Sequence, residues 1–371
     1  MRYYTQTHAY YCGVDLHTRT MYLCILDAQG QRLFHQNLPT QPEAFLKAIA
    51  PYRNDLVIGC ECVYTWYWLA DLCQREKLPF VLGHALYMKA IHGAKTKNDR
   101  IDASKLASLL RGGLFPQAYA YPAQMRATRD LLRRRCRLVQ ERSQYLAHIQ
   151  IINQQCNLPS FEFRLSRSSA RENDAILSRF AEASTQLSVR TDLEMIDMLD
   201  DQIKKMESHL VKYAQVHQPK TYELLQTIPG VGKVLGLVIR YEVENIERFG
   251  HVGEFLSYAR LVRPKQESAG KTTGQGNAKI GNAHLRWALA EAALYLLRDL
   301  ETAKKWRHRV EARKGTGKMI AILAARLGRA IYQMLRRGEA FDEKRFFGLR
   351  CATPVTSVTP SIQGEQVMAV T

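Results

Sequence analysis

The sequence predicts a mixed α/β region followed by a long helical region, and three observations lead to this division. Up to about residue 115, β-rich runs alternate with short amphipathic stretches. From about residue 124 the pattern changes to long helices, and a mostly helical segment continues from 221 to about 347. A chain of 371 residues is long enough for two or three domains, each with its own core.

Three β-rich runs open the α/β region, at 10–16, 21–27 and 32–38. Only Ala-Gln-Gly-Gln separates the last two, so a meander of hairpin-linked strands is expected. The pattern then predicts a helix over 43–52, a buried strand over 56–62, a helix over 66–76 and a strand over 79–83. A meander followed by helix–strand alternation is the order of a ribonuclease H-like sheet, a fold that serves many functions.

The helical region begins with a basic helix over 126–155. Seven arginines and two acids fall within 126–142, and Arg133 and Arg134 are candidate nucleic-acid contacts. The polar stretch over 158–185 is predicted to be a loop.

A second long helix, over 192–210, carries a possible helix–helix seam. Apolar residues recur at alternating spacings of three and four, as in a coiled coil: Ile196, Leu199, Ile203, Met206 and Leu210. Because two heptads are a short signal, the seam fits either dimerisation or an antiparallel pair within one chain.

These patterns divide the chain into four segments, 1–123, 124–217, 218–348 and 349–371. The last segment is poor in apolar residues and interrupted by prolines, so it is predicted to be disordered. The eight cysteines are scattered and form neither a zinc motif nor a disulfide framework, so we expect them to be reduced and mostly structural.

Charge gives the first indication of function. Lysine and arginine outnumber the acids 53 to 35, a formal net charge of +18, which favours a polyanionic partner, nucleic acid foremost. An anionic membrane is the alternative, but no apolar run approaches the ~20 residues that a spanning helix needs. Residues 1–13 also lack a signal-peptide pattern, so we expect a cytoplasmic, nucleoid-associated protein without a membrane partner.

Two aspartates stand three residues apart where a helix is predicted to begin. Asp99 and Asp102 share one helical stripe with apolar residues, namely Ala103, Leu106, Ala107 and Leu110. A carboxylate facing a core costs several kcal/mol unless a cation compensates it. The alternative is that Asp99 caps the helix and Asp102 is an ordinary acid of its first turn.

Two further acids lie in predicted strands. Asp15 ends the first strand and Glu61 lies inside the fourth, and acids flanked by apolar strand residues are uncommon. In a ribonuclease H-like sheet these strands are neighbours, so all four carboxylates would meet. Four repelling anions require divalent cations, and two Mg²⁺ (or Mn²⁺) ions about 4 Å apart form a clamp for phosphoryl transfer. Lys95, Lys97 and Arg100 are then available to hold phosphates.

Glycines mark two places in the carboxy-terminal half. Residues 227–233 match the hairpin of a helix-hairpin-helix element, with Gly230, Gly232 and Lys233 approaching a phosphate; an ordinary helix–helix turn is the alternative. Residues 263–289 are glycine-rich and predicted to be flexible until Ala283, where a helix begins. Neither Ala-Gly-Lys-Thr-Thr nor Gly-Thr-Gly-Lys-Met completes a phosphate-loop motif, so no ATP site is expected.

The acid set resembles a known signature. The segments GVDLH, GCEC and KNDRIDASKLA resemble the D-E-D-D motif of the transposases of insertion-sequence family 110 (IS110/IS1111 type), and the resemblance covers about residues 10–345. The amino-terminal domain of that family is similar to Holliday-junction resolvases of the RuvC type. The resemblance implies that the catalytic metal is bound by Asp15, Glu61, Asp99 and Asp102.

Residues 263–289 resemble the second conserved domain of the same family, a serine–glycine loop followed by K-x-G-x-x-x-L-R, here Lys279, Gly281, Leu285 and Arg286. The resemblance implies that Ser268 attacks DNA and becomes covalently joined to a phosphate, with Lys271, Lys279 and Arg286 contacting nucleic acid. The chain reads Ser-Ala-Gly where the family shows Ser-Gly, so Thr272 and Thr273 are reserve nucleophiles.

The resemblance also implies partners: donor and target DNA, an element-encoded non-coding guide RNA, and further copies of the chain in a homodimer or larger homo-oligomer. Fourteen lysines and arginines against four acids over 303–350 favour phosphate contact there too, and a solvated helix face is the alternative. Three alternatives stay open: a metal-dependent resolvase or nuclease using activated water, a non-catalytic DNA-binding protein and an actin-like ATPase.

Overall fold

The computed structural model describes residues 2–91, 98–166, 171–214, 219–262, 265–268, 271–275 and 279–348, and gives only the backbone of 89–91, 214, 265–268 and 272–275. They form two compact units. The first lies within Met1–Tyr213 and also includes a short piece at 277–280, and the second lies within Ala214–Gly276 and Gly281–Thr371. The predicted disordered tail at 349–371 lies outside the described residues, and the finer division of the first unit at residue 123 stays a prediction.

The first unit combines a sheet with helices. Its strands are β1 (Tyr3–Tyr4), β2 (Tyr10–Leu16), β3 (Thr20–Asp27), β4 (Arg32–Pro39), β5 (Leu56–Glu61), β6 (Phe80–Gly83) and β7 (Phe115–Pro116). Its helices are α1 (Pro42–Ile49), a 3-10 turn (Ala50–Asp55), α2 (Trp66–Arg75), α3 (Ala85–Ile91), α4 (Asp99–Arg111), α5 (Ala123–Gln155), α6 (Asn173–Leu177) and α7 (Ala183–Ala214).

The second unit is mostly helical. It contains α8 (Pro219–Gln226), α9 (Lys233–Val243), a 3-10 turn (Ile246–Arg248), α10 (Val252–Tyr258), α11 (Ala283–Asp299), α12 (Glu301–Lys314), α13 (Thr316–Arg337) and α14 (Glu343–Phe347). Two strands, β8 (Lys265–Ser268) and β9 (Lys271–Gln275), form an antiparallel hairpin. The sequence analysis did not predict these two strands; the flexibility that it expects of the glycine-rich segment stays a prediction.

The main sheet has the strand order β4-β3-β2-β5-β6. β2, β3 and β4 form the predicted antiparallel meander, and β5 and β6 run parallel to β2. The mixed α/β class of the amino-terminal region is thus confirmed. Val14 pairs with Cys60, so Asp15 and Glu61 are the next residues along two neighbouring strands.

Each face of the sheet has its own cover. Side chains alternate along a strand, and one face, including Cys12 and Val14, packs with α1 and α2. The opposite face is covered by α4, with Leu106 and Leu110 against Val57. Asp15 and Glu61 belong by alternation to the α4 face.

The long helices α5 and α7 pack antiparallel. The ion pairs Arg135–Glu207, Arg142–Asp200 and His148–Asp192 run in opposite directions along the two helices. Leu199 and Ile203 of the predicted seam pack against Leu138 of α5. The seam is thus used within the chain, the second of the two alternatives.

The predicted loop over 158–185 is partly wrong, because it contains the short helix α6 and the first residues of α7. Arg171 anchors this region: its buried guanidinium donates to the carboxylates of Asp197 and Asp200. These charge-assisted hydrogen bonds hold the connection between α5 and α7 in place, although its polar composition is typical of a loop.

No helix of the described residues is both long enough and apolar enough to cross a bilayer. Among the same residues the cysteines are free thiols: Cys12, Cys24, Cys60, Cys62, Cys73, Cys136 and Cys156.

Candidate active site

The first turn of α4 brings two of the four acids to the sheet. Asn98, not Asp99, is the N-cap: its side-chain oxygen accepts a hydrogen bond from the backbone N–H of Arg100 at 3.0 Å. The capping explanation of Asp99 is therefore wrong. Asp99 and Asp102 both lie in the first turn, where the helix dipole favours negative charge.

A close approach of helix and strand sets the position of these acids. Gly13 of β2 lies under α4, and a Cβ at this position would be 2.2 Å from the carbonyl oxygen of Ala103 and 2.4 Å from the backbone nitrogen of Ala107. Only glycine allows this approach without a shift of the helix. Because residues 103–107 cover Gly13, the preceding turn of α4 reaches the end of β2, where Asp15 lies.

Asp15, His17 and Asp99 form a cluster at this end of the sheet. His17 Nε2 lies 3.5 Å from Asp15 Oδ2 and 3.5 Å from Asp99 Oδ1. One possible ligand atom from each residue lies within 4.8 Å of the other two. His17 is held at the β2–β3 turn, since its N–H donates to the carbonyl of Thr20 and its own carbonyl accepts from Thr40 Oγ1.

The charge of Asp15 is disfavoured where it lies. Its side chain is only 17% exposed. Burial raises the pKa of Asp15 and the carboxylates of Asp99 and Asp102 raise it further, while His17 acts in the opposite direction. A bound cation would stabilise the ionised form of Asp15.

The other two predicted acids lie next to this cluster. Asp102 is close enough to affect the pKa of Asp15, and Lys105 Nζ lies 3.6 Å from Asp102 Oδ1. Glu61 follows the β5 residue that pairs with Val14. Among the described residues, neither Asp102 nor Glu61 supplies an atom to the group within 4.8 Å.

The basic residues of the first unit that are candidate nucleic-acid contacts differ in their surroundings. Arg133 is half-buried, and together with Arg129 it lowers the pKa of Cys62, which burial raises more strongly. Arg133 therefore lies near the end of β5 that carries Glu61. Arg100 and Arg134 are exposed. Lys95 and Lys97 lie outside the described residues.

The turn between α8 and α9 carries the residues predicted to approach a phosphate, Gly230, Gly232 and Lys233. Gly230 has φ +85°, and a Cβ there would lie 2.7 Å from the backbone nitrogen of Leu296, so the glycine is needed for packing against α11. A Cβ at Gly232 would meet nothing within 4 Å. Lys233 begins α9 and is exposed.

Ser268 ends β8 and pairs with Lys271, the first residue of β9. Thr272 pairs with Glu267, and Thr273 also lies in β9. Lys271, Lys279 and Arg286 are exposed. The backbone therefore places the candidate nucleophile at the closed end of a hairpin with a lysine opposite it.

Asn282 anchors the start of α11. Its side-chain oxygen accepts from the N–H of Leu285 at 3.0 Å, and its amide donates to Glu242 Oε2 at 2.7 Å and to the Tyr258 hydroxyl at 3.0 Å. Sequence reasoning missed both Asn282 and His17. An asparagine before a helix is a capping signal, and the Asp-x-His spacing of a strand puts both side chains on one face.

Comparisons with known proteins match two ranges of the chain. A family model described as a transposase of the DEDD, IS110 type matches residues 12–155, and the model "Transposase IS116/IS110/IS902 family" matches residues 222–308. The first range contains all four predicted acids and the second contains Ser268. An acid-bearing α/β unit followed by a helical unit, matched in this way, defines a DNA transposase.

A curated relative extends the match along the chain. The transposase for insertion sequence element IS1111A of Coxiella burnetii (strain RSA 493 / Nine Mile phase I) is 24% identical over 341 residues, covering 89% of this chain and 90% of the relative. The two family models together span more than half of the sequence. The chain belongs to the IS110 family of insertion-sequence transposases, which implies a DNA substrate and a divalent metal.

Proposed function

We propose that this transposase cuts and rejoins DNA through a covalent bond between Ser268 and a DNA phosphate, with divalent metal held by the acids of the first unit. The observation that carries the proposal is the cluster of Asp15, His17 and Asp99. Asp102 and Glu61 complete the proposed metal-binding set from the neighbouring helix turn and strand.

The donor set fits a divalent cation. Carboxylate oxygens are the donors that Mg²⁺ and Mn²⁺ prefer, and an imidazole nitrogen from His17 favours Mn²⁺. The raised pKa of Asp15, caused first by burial, fits a site designed to be neutralised by a cation. When bound, such a cation supplies charge stabilisation to a phosphoryl group during in-line displacement.

The serine step exchanges one phosphoester for another. Ser268 Oγ forms a bond to phosphorus as the bond from phosphorus to the leaving nucleotide oxygen breaks; the serine proton leaves and the departing oxygen takes up a proton. In the rejoining step a DNA hydroxyl attacks the serine–phosphate and releases Ser268. The number of phosphoester bonds is conserved, so no nucleotide cofactor is required.

Three further parts of the proposal have narrower support. The strand order β4-β3-β2-β5-β6 supports a ribonuclease H-like, RuvC-like catalytic domain. The turn between α8 and α9, with exposed Lys233, supports a helix-hairpin-helix contact to phosphate. The excess of basic residues is compatible with an element-encoded guide RNA that selects donor and target.

Because the acids and Ser268 belong to separate units, assembly between subunits of a homo-oligomer is part of the proposal.

Mapping a trapped DNA–protein adduct tests the proposal. The protein is incubated with Mn²⁺, guide RNA and a nicked DNA substrate whose cleaved piece diffuses away, and the adduct is digested and sequenced by mass spectrometry. We expect the phosphate on Ser268 and no adduct in Ser268→Ala. The matched control Ser257→Ala, at an exposed serine of α10, should form the adduct as the wild type does.

Other outcomes separate the alternatives. An adduct on Thr272 or Thr273 would transfer the role of nucleophile to that residue. Strand cleavage that persists in Ser268→Ala without an adduct would replace the serine step by attack of water and contradict the proposal.

A further inference from the structure

A second candidate surface lies beside the acid cluster, on the part of α4 that faces β4. A cavity of about 520 Å³ is lined by residues of this helix and of β4, the edge strand of the sheet. We call it the β4–α4 groove; it is lined by Arg32, His35, Arg100, Ile101, Ser104, Lys105, Ser108 and Leu109. Arg32, His35 and Ser108 lie outside the segments that resemble the D-E-D-D motif and the serine loop, and Ser104 and Lys105 lie in the D-E-D-D segment but are not among its acids.

The lining has the chemistry of an anion site. Arg32, Arg100 and Lys105 supply three cations from a strand and a helix, and no acid is among the described residues that line the groove. Ser104 and Ser108 are small polar residues on the same wall; the Ser108 hydroxyl donates to the Ser104 carbonyl oxygen at 2.9 Å, so the cations are the groups that would hold a phosphate. Lysine and arginine side chains on an open surface are groups that proteins use to hold nucleic-acid phosphates.

The groove has the length of a short stretch of nucleic-acid strand. Arg100, Ser104 and Ser108 recur every fourth residue and form one stripe of α4. At ~1.5 Å rise per residue this stripe is about 12 Å long. A DNA strand carries a phosphate about every 3.4 Å of helix axis, so the stripe spans roughly three phosphates.

Two contacts connect the groove to the acid cluster. His35 Nε2 donates to the carbonyl oxygen of Arg100 at 2.9 Å, which joins the first turn of α4 to the edge strand. Lys105 lines the groove while its Nζ lies 3.6 Å from Asp102 Oδ1. A strand in the groove would therefore pass within one side-chain length of the acids.

We propose that the β4–α4 groove binds the sugar–phosphate backbone of a nucleic-acid strand and guides it to the acid cluster. This inference rests on the proposed function for its partner class, but it concerns equilibrium binding and needs no catalysis. DNA and guide RNA share the phosphate chemistry, and separate probes distinguish them.

The test compares two pairs of neutralising substitutions. Arg32→Gln with Lys105→Gln removes two cations of the groove. Lys47→Gln with Arg75→Gln removes two exposed cations of α1 and α2, on the other side of the sheet, as a matched control. Fluorescence anisotropy with labelled single-stranded DNA, duplex DNA and RNA, at several salt concentrations and without divalent metal, gives the affinity and its salt dependence.

We expect the groove pair to weaken binding of at least one probe about tenfold or more at low salt, and to reduce the slope of log K against log salt by roughly 1.4 to 1.8. The control pair should change the slope much less. The probe that responds identifies the strand as DNA or RNA.

Equal affinities and slopes for the two pairs, with all probes, would overturn the inference. Adduct formation at Ser268 is measured separately, so a groove that does not bind leaves the proposed reaction intact. Conversely, if the groove pair weakens binding, the inference about the groove remains valid even when no adduct forms at Ser268.

Discussion

Gly13 lies directly beneath Ala103, with room for a hydrogen but not for a side chain: a Cβ would sit 2.2 Å from the Ala103 carbonyl oxygen. This approach of β2 and α4 brings strand-borne Asp15 near helix-borne Asp99. The position of the acid cluster thus depends on a residue that carries no functional group.

Gly13→Ala should displace α4 from the sheet. We expect a loss of about 1–3 kcal/mol in the free energy of unfolding, because the added methyl meets backbone atoms that cannot move independently. Urea unfolding measures the loss, and Mn²⁺ affinity should fall with it. Gly317→Ala, where a Cβ meets nothing within 4 Å, is the control and should be neutral or slightly stabilising. Equal stability of the two variants would contradict the packing argument.

Asp15→Asn should stabilise the metal-free protein. Burial, first, raises the pKa of Asp15 above the ordinary value of an aspartate, so its contribution to stability is present at low pH and is lost as pH rises through the folded-state pKa. At pH 7 in EDTA the variant should therefore melt at a higher temperature than the wild type, with the difference shrinking toward pH 4. Thermal unfolding at both pH values measures this. A lower melting temperature for the variant at pH 7 would show that the ionised carboxylate is stabilised.

Leu199→Ala should destabilise the chain as a monomer. Leu199 is 4% exposed and packs against Leu138, so truncation should cost about 2–5 kcal/mol. Met198→Ala, one residue earlier and 49% exposed, should cost less than about 1 kcal/mol. Chemical unfolding gives both values. If Leu199→Ala instead left the free energy of unfolding unchanged and altered only the molecular mass of the particle measured by light scattering, the seam would form contacts between chains.

Asn282→Ala should cost more than the loss of an ordinary helix cap. It removes the cap of α11 and also the donor to Glu242, leaving a buried carboxylate with one bond fewer. We expect about 2–4 kcal/mol, against about 1 kcal/mol for Asp342→Ala, which removes only the cap of α14. Unfolding curves of the two variants give the comparison, and equal losses would mean that the bond to Glu242 contributes nothing.

Much of the α/β unit was predictable because its signals are local. The strand Tyr10–Leu16 was predicted with its observed bounds, because a run of aromatic and apolar β-forming residues can be recognised without knowledge of distant partners. The start of α4 near Asp99 was predicted from apolar residues that recur at helical intervals. The meeting of Asp15 and Asp99 was expected from the order of elements in a ribonuclease H-like sheet, because neither local pattern says how the helix packs on the strand.

The parts that the sequence did not predict depend on distant residues. His17 joins the cluster because the β2–β3 turn, held in part by Thr40, points it toward Asp99. Leu199 is buried by α5 rather than by a second chain, and the heptad pattern is the same in both cases. The β8–β9 hairpin lies in a glycine-rich sequence whose local signal is that of a loop.

Mn²⁺ binding by the purified protein tests the acid cluster most directly. Electron paramagnetic resonance of free Mn²⁺ during a titration should show saturable binding to the wild type, with affinity lowered about tenfold or more in Asp15→Asn, Asp99→Asn and His17→Ala. Asp174→Asn, at an exposed acid of α6, should bind as the wild type does. Equal Mn²⁺ affinity in the wild type and Asp15→Asn would contradict a metal site at this end of the sheet.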